Sequence, residues 1–291
     1  MNIRKAVIPA AGFGTRFLPA TKAQPKEMLC VLDKPLIQYC VEEAVASGLT
    51  HICIITGRGK SAVEDHFDRN PELEALLEEK KKDDLLKEVR RISGLAEICS
   101  VRQKEMLGLG HAVLAAADYV GREPFAVLLP DDIYDCAVPC PRQLMDVAEA
   151  KNASTLALGR TDAEGTKKYG IIKPRPVADR VYQLLDMIEK PGPERAFSDL
   201  AILGRYVFTP EIFDMIRETP PDHRGEIQIT DAIRKLVDHQ DVYGVEYEGD
   251  RYDAGDKIGQ LEAILALALK REDYREALLG LLKSHGFFLK E

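Results

Sequence analysis

The first half of the chain alternates short apolar runs with longer segments in which apolar residues recur at helical spacing. The apolar runs have the length of strands buried on both faces, and they cover residues 6–9, 51–56, 98–102 and 125–129. The helical segments cover residues 36–47, which end before Gly48, and residues 110–119. This alternation predicts a doubly wound sheet with helices on both faces.

The second half is richer in strand patterns, at residues 155–160, 170–174, 181–189, 200–208 and 242–248. Helical patterns return at residues 229–240 and near residues 257–291, and residues 71–91 are a charged segment that predicts a helical excursion. The sequence has no internal repeat and no long linker. We therefore predict one domain over residues 1–291, a three-layer α/β/α, Rossmann-like fold with a mostly parallel mixed sheet.

Charge and composition limit the possible partners. The formal net charge of −8 argues against a nucleic-acid groove or an anionic membrane as a partner. No apolar stretch reaches membrane-spanning length, and the first residues lead directly into a strand pattern, so no signal peptide is predicted. The six cysteines are scattered without zinc-like pairs, which is typical of reduced cysteines. We expect a cytoplasmic protein.

A glycine-rich segment directly follows the first apolar run. Its two glycines let the backbone turn tightly and present N–H groups to anionic oxygens, while Arg16 and Lys26 add positive charge. The segment therefore predicts a loop that binds a polyphosphate. Its candidate nucleotide-binding residues are Ala10, Ala11, Gly12, Gly14 and Thr15.

Two commoner glycine motifs fit the sequence less well. A dinucleotide fingerprint needs a third glycine where Phe17 stands, so NAD is not expected. A P-loop ending at Lys60-Ser61 would place its first glycine at Ile54. We interpret Lys60-Ser61 as a solvated helix start.

Two acidic residues, Asp131 and Asp132, follow the strand pattern that ends at residue 129. Ligands of open parallel sheets collect at the carboxyl ends of strands, and Mg²⁺ takes oxygen ligands that it shares with substrate phosphates. Asp131 is therefore predicted to bind Mg²⁺, with a turn cap as its alternative. For Asp132, a cap and a contact to a nucleotide ribose stay equally open.

The glycine loop and two following segments resemble the sugar-phosphate nucleotidyltransferases, and most closely their bacterial uridylyltransferase branch. The segments are Pro25-Lys26-Glu27-Met28-Leu29 and Asp33-Lys34-Pro35-Leu36-Ile37-Gln38-Tyr39. The resemblance implies that UTP and α-D-glucose 1-phosphate give UDP-glucose and pyrophosphate with Mg²⁺, in a homodimer or homotetramer. Alternatives are a thymidylyltransferase, another sugar-phosphate nucleotidyltransferase or a non-catalytic regulatory paralogue.

The resemblance also implies roles for charged residues. Arg16 would lie by the β- and γ-phosphates and Lys26 by the α-phosphate, and the adjacent Glu27 would contact the nucleotide. The segment Met187-Ile188-Glu189-Lys190-Pro191 is similar to a family motif in which Glu189 would hold sugar hydroxyls and Lys190 the sugar phosphate. The alternative for this pair is an exposed, solvated position before a turn.

Further residues follow from the same resemblance. Asp253 is expected to be a second Mg²⁺ ligand, and its alternative is to cap the helix near residue 257, for which Asp256 is better placed. Gly170 is expected in the sugar site. Thr230 is expected to cap a helix, and two acidic neighbours are expected to organise the site; they are Glu226 and Asp231.

Base recognition is expected at Gln103, because its amide can pair with a uracil carbonyl and the ring N–H together. Gly108 and Gly110 would let the backbone approach the base or ribose, and their alternative role is a strand-to-helix turn. His111 is interpreted as part of the helix start. Leu107 departs from the family, which commonly has lysine there.

Overall fold

The computed structural model describes residues 1–286, so the end of the expected C-terminal helical segment, residues 287–291, lies outside the described part. The strands are β1 (Lys5–Pro9), β2 (Cys30–Val31), β3 (Lys34–Pro35), β4 (His51–Thr56), β5 (Glu97–Arg102), β6 (Phe125–Leu128), β7 (Asp132–Asp135), β8 (Ser154–Arg160), β9 (Gly170–Ala178), β10 (Val181–Glu189), β11 (Leu200–Phe208), β12 (Val242–Glu246) and β13 (Asp250–Asp253). The helices are α1 (Leu36–Ala46), α2 (Ser61–Phe67), α3 (Pro71–Glu79), α4 (Asp83–Ser93), α5 (Gly108–Leu114), α6 (Ala117–Val120), α7 (Cys140–Lys151), α8 (Ile212–Glu218), α9 (Ile229–His239), α10 (Lys257–Lys270) and α11 (Glu272–Ser284).

One nine-stranded sheet has the order β5-β4-β1-β6-β11-β8-β12-β10-β9. Strands β5, β4, β1 and β6 are parallel, and so are β8 and β12. Strand β11 runs antiparallel to β6 and β8, and β10 runs antiparallel to β9 and β12. The sheet is mixed as expected, but its second half is mainly antiparallel: β11 runs opposite to β6 and β8, and a two-residue connection joins β9 to β10 as a hairpin.

The two faces of the sheet carry separate hydrophobic cores. Along β1, Val7 faces one core while Ala6 and Ile8 face the other, since side chains alternate on a strand. Helices α5, α8 and α9 pack on the Val7 side, and α1, α2 and α7 pack on the opposite side. Phe125 stacks on Phe213 with ring centroids 5.0 Å apart, and burying such a ring contributes about 1.5–3 kcal/mol. The predicted three-layer α/β/α fold is confirmed.

The charged excursion predicted over residues 71–91 forms two helices, α3 and α4. Lys81 interrupts the helical backbone between them with φ 54°. Glu74 joins the two helices, because its carboxylate lies 2.7 Å from Arg69 Nη2 and 2.9 Å from Arg90 Nε. Glu74 is only 2 % exposed, so this charge is paired rather than solvated.

Two other local predictions were wrong in part. The single helix predicted over residues 110–119 is divided into α5 and α6, because the Ala116 N–H bonds to Val113 O in a tighter, three-residue turn. Lys60 precedes α2 as expected, but it is 6 % exposed rather than solvated, because it pairs with Glu27. Helices α7 and α8 and the short ladder of β7 with β13 were not predicted.

Candidate active site

The loop after β1 needs glycine at Gly14 for two reasons. Gly14 has φ 64°, a left-handed value that favours glycine, and a Cβ there would lie 2.9 Å from Lys26 Cβ. The next residues form a short 3-10 turn, Thr15–Phe17, and the Arg16 side chain is 61 % exposed. The absence of a side chain at Gly14 therefore lets the loop pack directly against the Lys26 segment.

Lys26 and Asp131 form an ion pair at the carboxyl end of β6. Lys26 Nζ lies 2.7 Å from Asp131 Oδ2, and Arg16 Nη2 lies 3.9 Å from the same oxygen. Burial would raise the pKa of the Asp131 carboxyl, but the Lys26 ammonium and Arg16 outweigh burial and lower that pKa to about 2. Asp131 is thus an ionised carboxylate at the edge where ligands of such sheets collect.

Glu27, the residue that follows Lys26, is 1 % exposed. Its Oε2 accepts a hydrogen bond from Lys60 Nζ at 2.6 Å, while its buried Oε1 has no hydrogen-bond partner in the described part of the chain. Burial raises the pKa of Glu27, and Lys60 and Lys26 oppose this shift. Lys60 therefore supplies the counter-charge for an acid that sequence reasoning assigned to the nucleotide.

The β7–β13 ladder brings Asp253 next to the Asp131 turn. Asp253 pairs with Asp132 in that ladder, and the Ala254 N–H donates to Asp131 O at 2.9 Å. A Cβ at Gly255 would lie 2.9 Å from Asp253 Oδ1 and 3.2 Å from Asp131 Oδ2, so both carboxylates face this glycine. The two predicted metal ligands are therefore close together.

The alternative role of Asp253 as a helix cap does not occur. Asp256 caps α10 instead, because its Oδ1 accepts hydrogen bonds from the N–H groups of Ile258 and Gly259, both at 3.0 Å. Asp253 Oδ2 accepts a hydrogen bond from the Tyr169 hydroxyl at 2.8 Å.

Asp132 is neither a turn cap nor an exposed acid. It is 5 % exposed, and its Oδ1 lies 2.5 Å from Arg251 Nη2. Burial raises the pKa of Asp132 to about 6, the charge of Arg251 opposes the shift, and the nearby Asp131 adds to it. A ribose contact for Asp132 stays a prediction, whereas the ion pair gives its carboxylate a partner within the protein.

Gln103 is 5 % exposed at the end of β5. Its Nε2 lies 3.2 Å from Gly108 O and 3.0 Å from His111 Nδ1, and these two contacts use both amide protons. The donor half of the amide is thus engaged inside the protein, which differs from the expected pairing through donor and acceptor together. Because the Gln103 amide nitrogen can only donate, His111 Nδ1 accepts this hydrogen bond.

The two glycines after Gln103 differ in their surroundings. Gly108 has φ 90°, and a Cβ there would lie 2.9 Å from Glu226 Cβ. Gly110 is buried and donates to Ile227 O at 2.9 Å, and a Cβ there would lie 2.8 Å from that oxygen. The close packing of Gly110 against Ile227 fits its alternative role in the strand-to-helix turn, and its nucleotide contact stays a prediction. Leu107 contributes its carbonyl, which accepts from Ile227 N–H at 2.7 Å.

Glu189 and Lys190, the charged pair expected to bind the sugar phosphate, lie at the end of β10. Glu189 Oε2 accepts a hydrogen bond from the Thr230 hydroxyl at 2.7 Å, and Lys190 Nζ lies 3.0 Å from Glu189 Oε1. Thr230 is thus a partner of Glu189 and not the predicted cap of α9, whose cap position is Gln228. A Cβ at Gly170 would lie 3.2 Å from Glu189 Oε2, so Gly170 gives that carboxylate room.

Two cavities divide these residues. The loop cavity has a volume of about 480 Å³, and residues that border it are Gly12, Gly14, Thr15, Lys26, Glu27, Gln103 and Gly108. The Lys190 cavity has a volume of about 570 Å³, and residues that border it are Asp132, Tyr169, Gly170, Glu189, Lys190 and Asp253. Residues that border both are Arg16, Leu109, Leu129, Asp131 and Glu226. Ala10 and Ala11 are buried at the end of β1, and Asp231 lies outside both cavities. Two ligands in these cavities would meet at Arg16 and Asp131.

Residues 5–273 match the family model described as Nucleotidyl transferase. The chain belongs to the nucleotidyl transferase family. A UTP--glucose-1-phosphate uridylyltransferase of Bacillus subtilis (strain 168) is 52% identical to it over 282 residues, which are 97% of this chain and 97% of the relative. The enzyme of that name from Staphylococcus haemolyticus (strain JCSC1435) is 49% identical over 286 residues, 98% of this chain and 99% of the relative.

Solved structures of this family agree over nearly the whole fold. A UDP-glucose pyrophosphorylase complexed with UDP-glucose has a TM-score of 0.86 and 42% identity, and it covers 93% of this chain and 100% of its own. A UTP-bound UGPase from Acinetobacter baumannii has a TM-score of 0.90 and 38% identity, and the match covers 99% of this chain and 100% of that structure's chain.

Three side chains around this nucleotidyl transferase site were not assigned a role from the sequence. They are Lys60, Tyr169 and Arg251, each of which contacts one of the predicted acids. In the sequence, each of them is a polar residue near an apolar strand pattern. Such a position suggests the end of a strand, but it does not reveal a contact with a residue that is distant in sequence. Arg251 Nη1 lies 3.3 Å from the Tyr169 hydroxyl and so links the partners of Asp132 and Asp253.

Within residues 1–286, no group of three or more His, Cys, Asp or Glu side chains is arranged to hold a metal ion. Two carboxylates at Gly255 fit Mg²⁺ only if phosphates and water complete its six oxygens, which is the usual arrangement in phosphoryl-transfer sites.

Over residues 1–286, none of the helices has the length and apolar content needed to cross a bilayer.

Proposed function

We propose that this chain transfers the uridylyl group of UTP to α-D-glucose 1-phosphate and releases pyrophosphate. The observation that carries this proposal is that the loop cavity and the Lys190 cavity meet at Arg16 and Asp131. Cations border both cavities, as two anionic substrates require. The substrates themselves are taken from the names of relatives that are 49–52% identical over nearly their full length.

UTP would occupy the loop cavity with its base near Gln103. Because both amide protons of Gln103 are engaged, its Oε1 would accept from the ring N–H of uracil. Cytosine carries no N–H at that ring position and would leave this oxygen without a donor once the base covers it. The triphosphate would follow the glycine loop to Arg16 and Lys26.

Glucose 1-phosphate would occupy the Lys190 cavity. Lys190 would contact the phosphate, and Glu189, held by Thr230, would accept hydrogen bonds from sugar hydroxyls. Lys190 has φ 46°, so the chain turns sharply at this residue after β10. Its side chain is 45 % exposed, which is compatible with contact to an entering ligand.

The reaction would be a direct displacement. A phosphate oxygen of glucose 1-phosphate attacks the α-phosphorus of UTP, a new P–O bond forms, and the bond to the β-phosphate oxygen breaks. The nucleophile is already anionic, so no general base is needed. Arg16 and Lys26 would offset the repulsion between the two phosphates and hold them in line.

We further propose that Asp131 and Asp253 hold Mg²⁺ at Gly255. The support is the approach of both carboxylates to that glycine and the low pKa of Asp131. When bound, Mg²⁺ would supply Lewis-acid stabilisation of charge on the phosphates. Lys26 would then contact phosphate and carboxylate together.

A pyrophosphate-release assay tests this function. We expect turnover with UTP, glucose 1-phosphate and Mg²⁺, and slower turnover when dTTP or CTP replaces UTP. Faster turnover with dTTP would favour a thymidylyltransferase, and nucleotide binding without pyrophosphate release would favour the regulatory paralogue. Omission of glucose 1-phosphate controls for hydrolysis of UTP alone.

We also propose one domain over residues 1–291 and a homodimer or homotetramer in the cytoplasm. The single nine-stranded sheet, which joins strands from β1 to β12, supports one domain. Sedimentation velocity measures the assembly, and a monomer at micromolar concentration would contradict it.

A further inference from the structure

Arg205 is a fully buried arginine in the middle of the sheet. It is 0 % exposed on β11, a strand whose nine residues are all buried. A buried charge lowers stability unless it is paired and hydrogen-bonded, and an apolar residue would fill the same space without that cost. Its presence in such a strand therefore needs an explanation beyond packing.

All five N–H donors of Arg205 are used. Nη1 donates to Leu129 O at 2.7 Å and to Gly204 O at 3.0 Å, and Nη2 donates to Asp132 O at 2.8 Å. Nε and Nη2 both donate to Glu43 Oε2, at 2.9 Å and 2.6 Å. One planar group thus joins a counter-ion on α1 to three backbone carbonyls.

Two of those carbonyls lie on either side of Asp131. Leu129 precedes Pro130-Asp131 and Asp132 follows it, so the guanidinium holds both ends of this turn. Pro130 has no N–H, and the turn's own contact, from Asp132 N to Leu129 O, is long at 3.4 Å. Arg205 therefore provides the shorter bonds at the two ends of the turn, while the Ala254 N–H donates to Asp131 O at its middle.

We propose that Arg205 is a positioning residue, which orients the Asp131 carboxylate toward Gly255 by fixing the carbonyls of Leu129 and Asp132. This inference rests on the proposed metal role of Asp131. Lysine cannot replace the arginine, because one ammonium has three donors and no planar fork that spans two carbonyls and a carboxylate.

The test separates positioning from folding. The variant with Arg205→Met and Glu43→Leu removes both buried charges at once, so neither is left unpaired and the core stays apolar. Leu144→Ala is the matched control: Leu144 is equally buried in the core that α7 forms with the sheet, its truncation lowers stability, and its carbonyl accepts from the Thr155 hydroxyl rather than from the turn. Thermal unfolding is measured for each variant.

The deciding readout is Mn²⁺ affinity in the presence of UTP, followed by electron paramagnetic resonance. We expect the Mn²⁺ affinity of the Arg205→Met, Glu43→Leu variant to fall by about tenfold or more, as is usual when a residue that orients a metal ligand is lost. The Mn²⁺ affinity of Leu144→Ala should be unchanged. Native affinity in the folded double variant would overturn the proposal. If that variant does not fold, Arg205→Lys decides in the same way, with weaker Mn²⁺ binding expected and native affinity excluding positioning.

Asp131→Asn distinguishes this inference from the proposed function. If Asp131→Asn leaves Mn²⁺ affinity unchanged, the metal role of Asp131 is wrong and the inference falls with it. If Asp131→Asn weakens Mn²⁺ binding and the Arg205 variants do not, only the positioning role is wrong.

Discussion

Lys26 and Asp131 lie 105 positions apart in the sequence, and their side chains meet with Nζ 2.7 Å from Oδ2. Burial would lower the pKa of the Lys26 ammonium, but the Asp131 and Glu27 carboxylates together outweigh burial and raise it. Each group thus keeps the other charged at neutral pH. In the proposed function, a cation for phosphate and an anion for a metal would therefore be held side by side where the two cavities join.

Gln103→Glu should lower kcat/KM for UTP by about tenfold or more. The acid keeps the size of the side chain but loses the amide donors that contact Gly108 O and His111, so the acceptor is no longer held in place. Gln143→Glu is a matched control, because its Nε2 likewise makes two contacts, to the carbonyls of Val138 and Glu248, and Gln143 borders neither cavity. Unchanged UTP kinetics in Gln103→Glu would remove this residue from the base site.

Lys190→Ala should weaken turnover with glucose 1-phosphate and leave UTP binding nearly intact. Of the two cavities, Lys190 borders only the Lys190 cavity, so in the proposed function its charge would face the phosphate of glucose 1-phosphate. We expect KM for glucose 1-phosphate to rise by about tenfold, with UTP affinity measured by calorimetry. Lys173→Ala, an exposed lysine on β9, is the control. A loss of UTP affinity with normal acceptor kinetics would assign Lys190 to the other substrate.

Glu74→Gln should remove a pH-dependent part of the stability. Hydrogen bonds from Arg69 and Arg90 lower the pKa of the Glu74 carboxyl from 4.5 to about 2. Because the folded-state pKa lies below the unfolded one, the pairing stabilises the fold above pH 4.5 and is lost as the pH falls toward about 2. Urea unfolding at pH 3 and pH 6 should therefore show a smaller difference in Glu74→Gln than in the parent.

The exposed neighbour Glu78→Gln serves as the control for that comparison, because it lies on the same helix and makes no ion pair with these arginines. An equal pH dependence in Glu74→Gln and the parent would mean that the two arginines do not hold α3 to α4 through this carboxylate.

Strands buried on both faces could be predicted from the sequence because burial is visible in each strand's own residues. The bounds of β4 and β11 agree with the predicted ranges for that reason, and those of the half-buried β10 agree as well. The glycine loop was equally local, since Gly14 needs its positive φ whatever its partners are. Chemistry that depends on one segment could thus be inferred directly.

Partners distant in sequence could not be predicted in this way. Lys60 has the composition of a solvated helix start, and only the fold brings Glu27 to 2.6 Å from it. Arg251 lies in a strand too short for a periodic pattern, yet it neutralises Asp132. Buried charge is costly unless paired, so these pairs must form, but no local pattern names the two members.

Asp131→Asn and Asp253→Asn test the metal pair, because both carboxylates face Gly255. If they share one Mg²⁺, either substitution removes most of the metal's charge stabilisation and should lower kcat by at least about a hundredfold. The double variant should then be little worse than the poorer single variant, since the shared ion is already lost. Separate roles would instead multiply the two losses.

Metal dependence decides between these outcomes. Higher Mg²⁺ or Mn²⁺ should partly restore each single variant, because one carboxylate and the phosphates still offer oxygen ligands. Asp256→Asn is the matched control: asparagine caps a helix as well as aspartate does, so α10 should keep its start and the Mg²⁺ dependence should not change. Additive losses without metal rescue would show that Asp131 and Asp253 do not bind one ion, and the role of Asp253 would then lie in its contacts with Tyr169, Gly255 and Arg251.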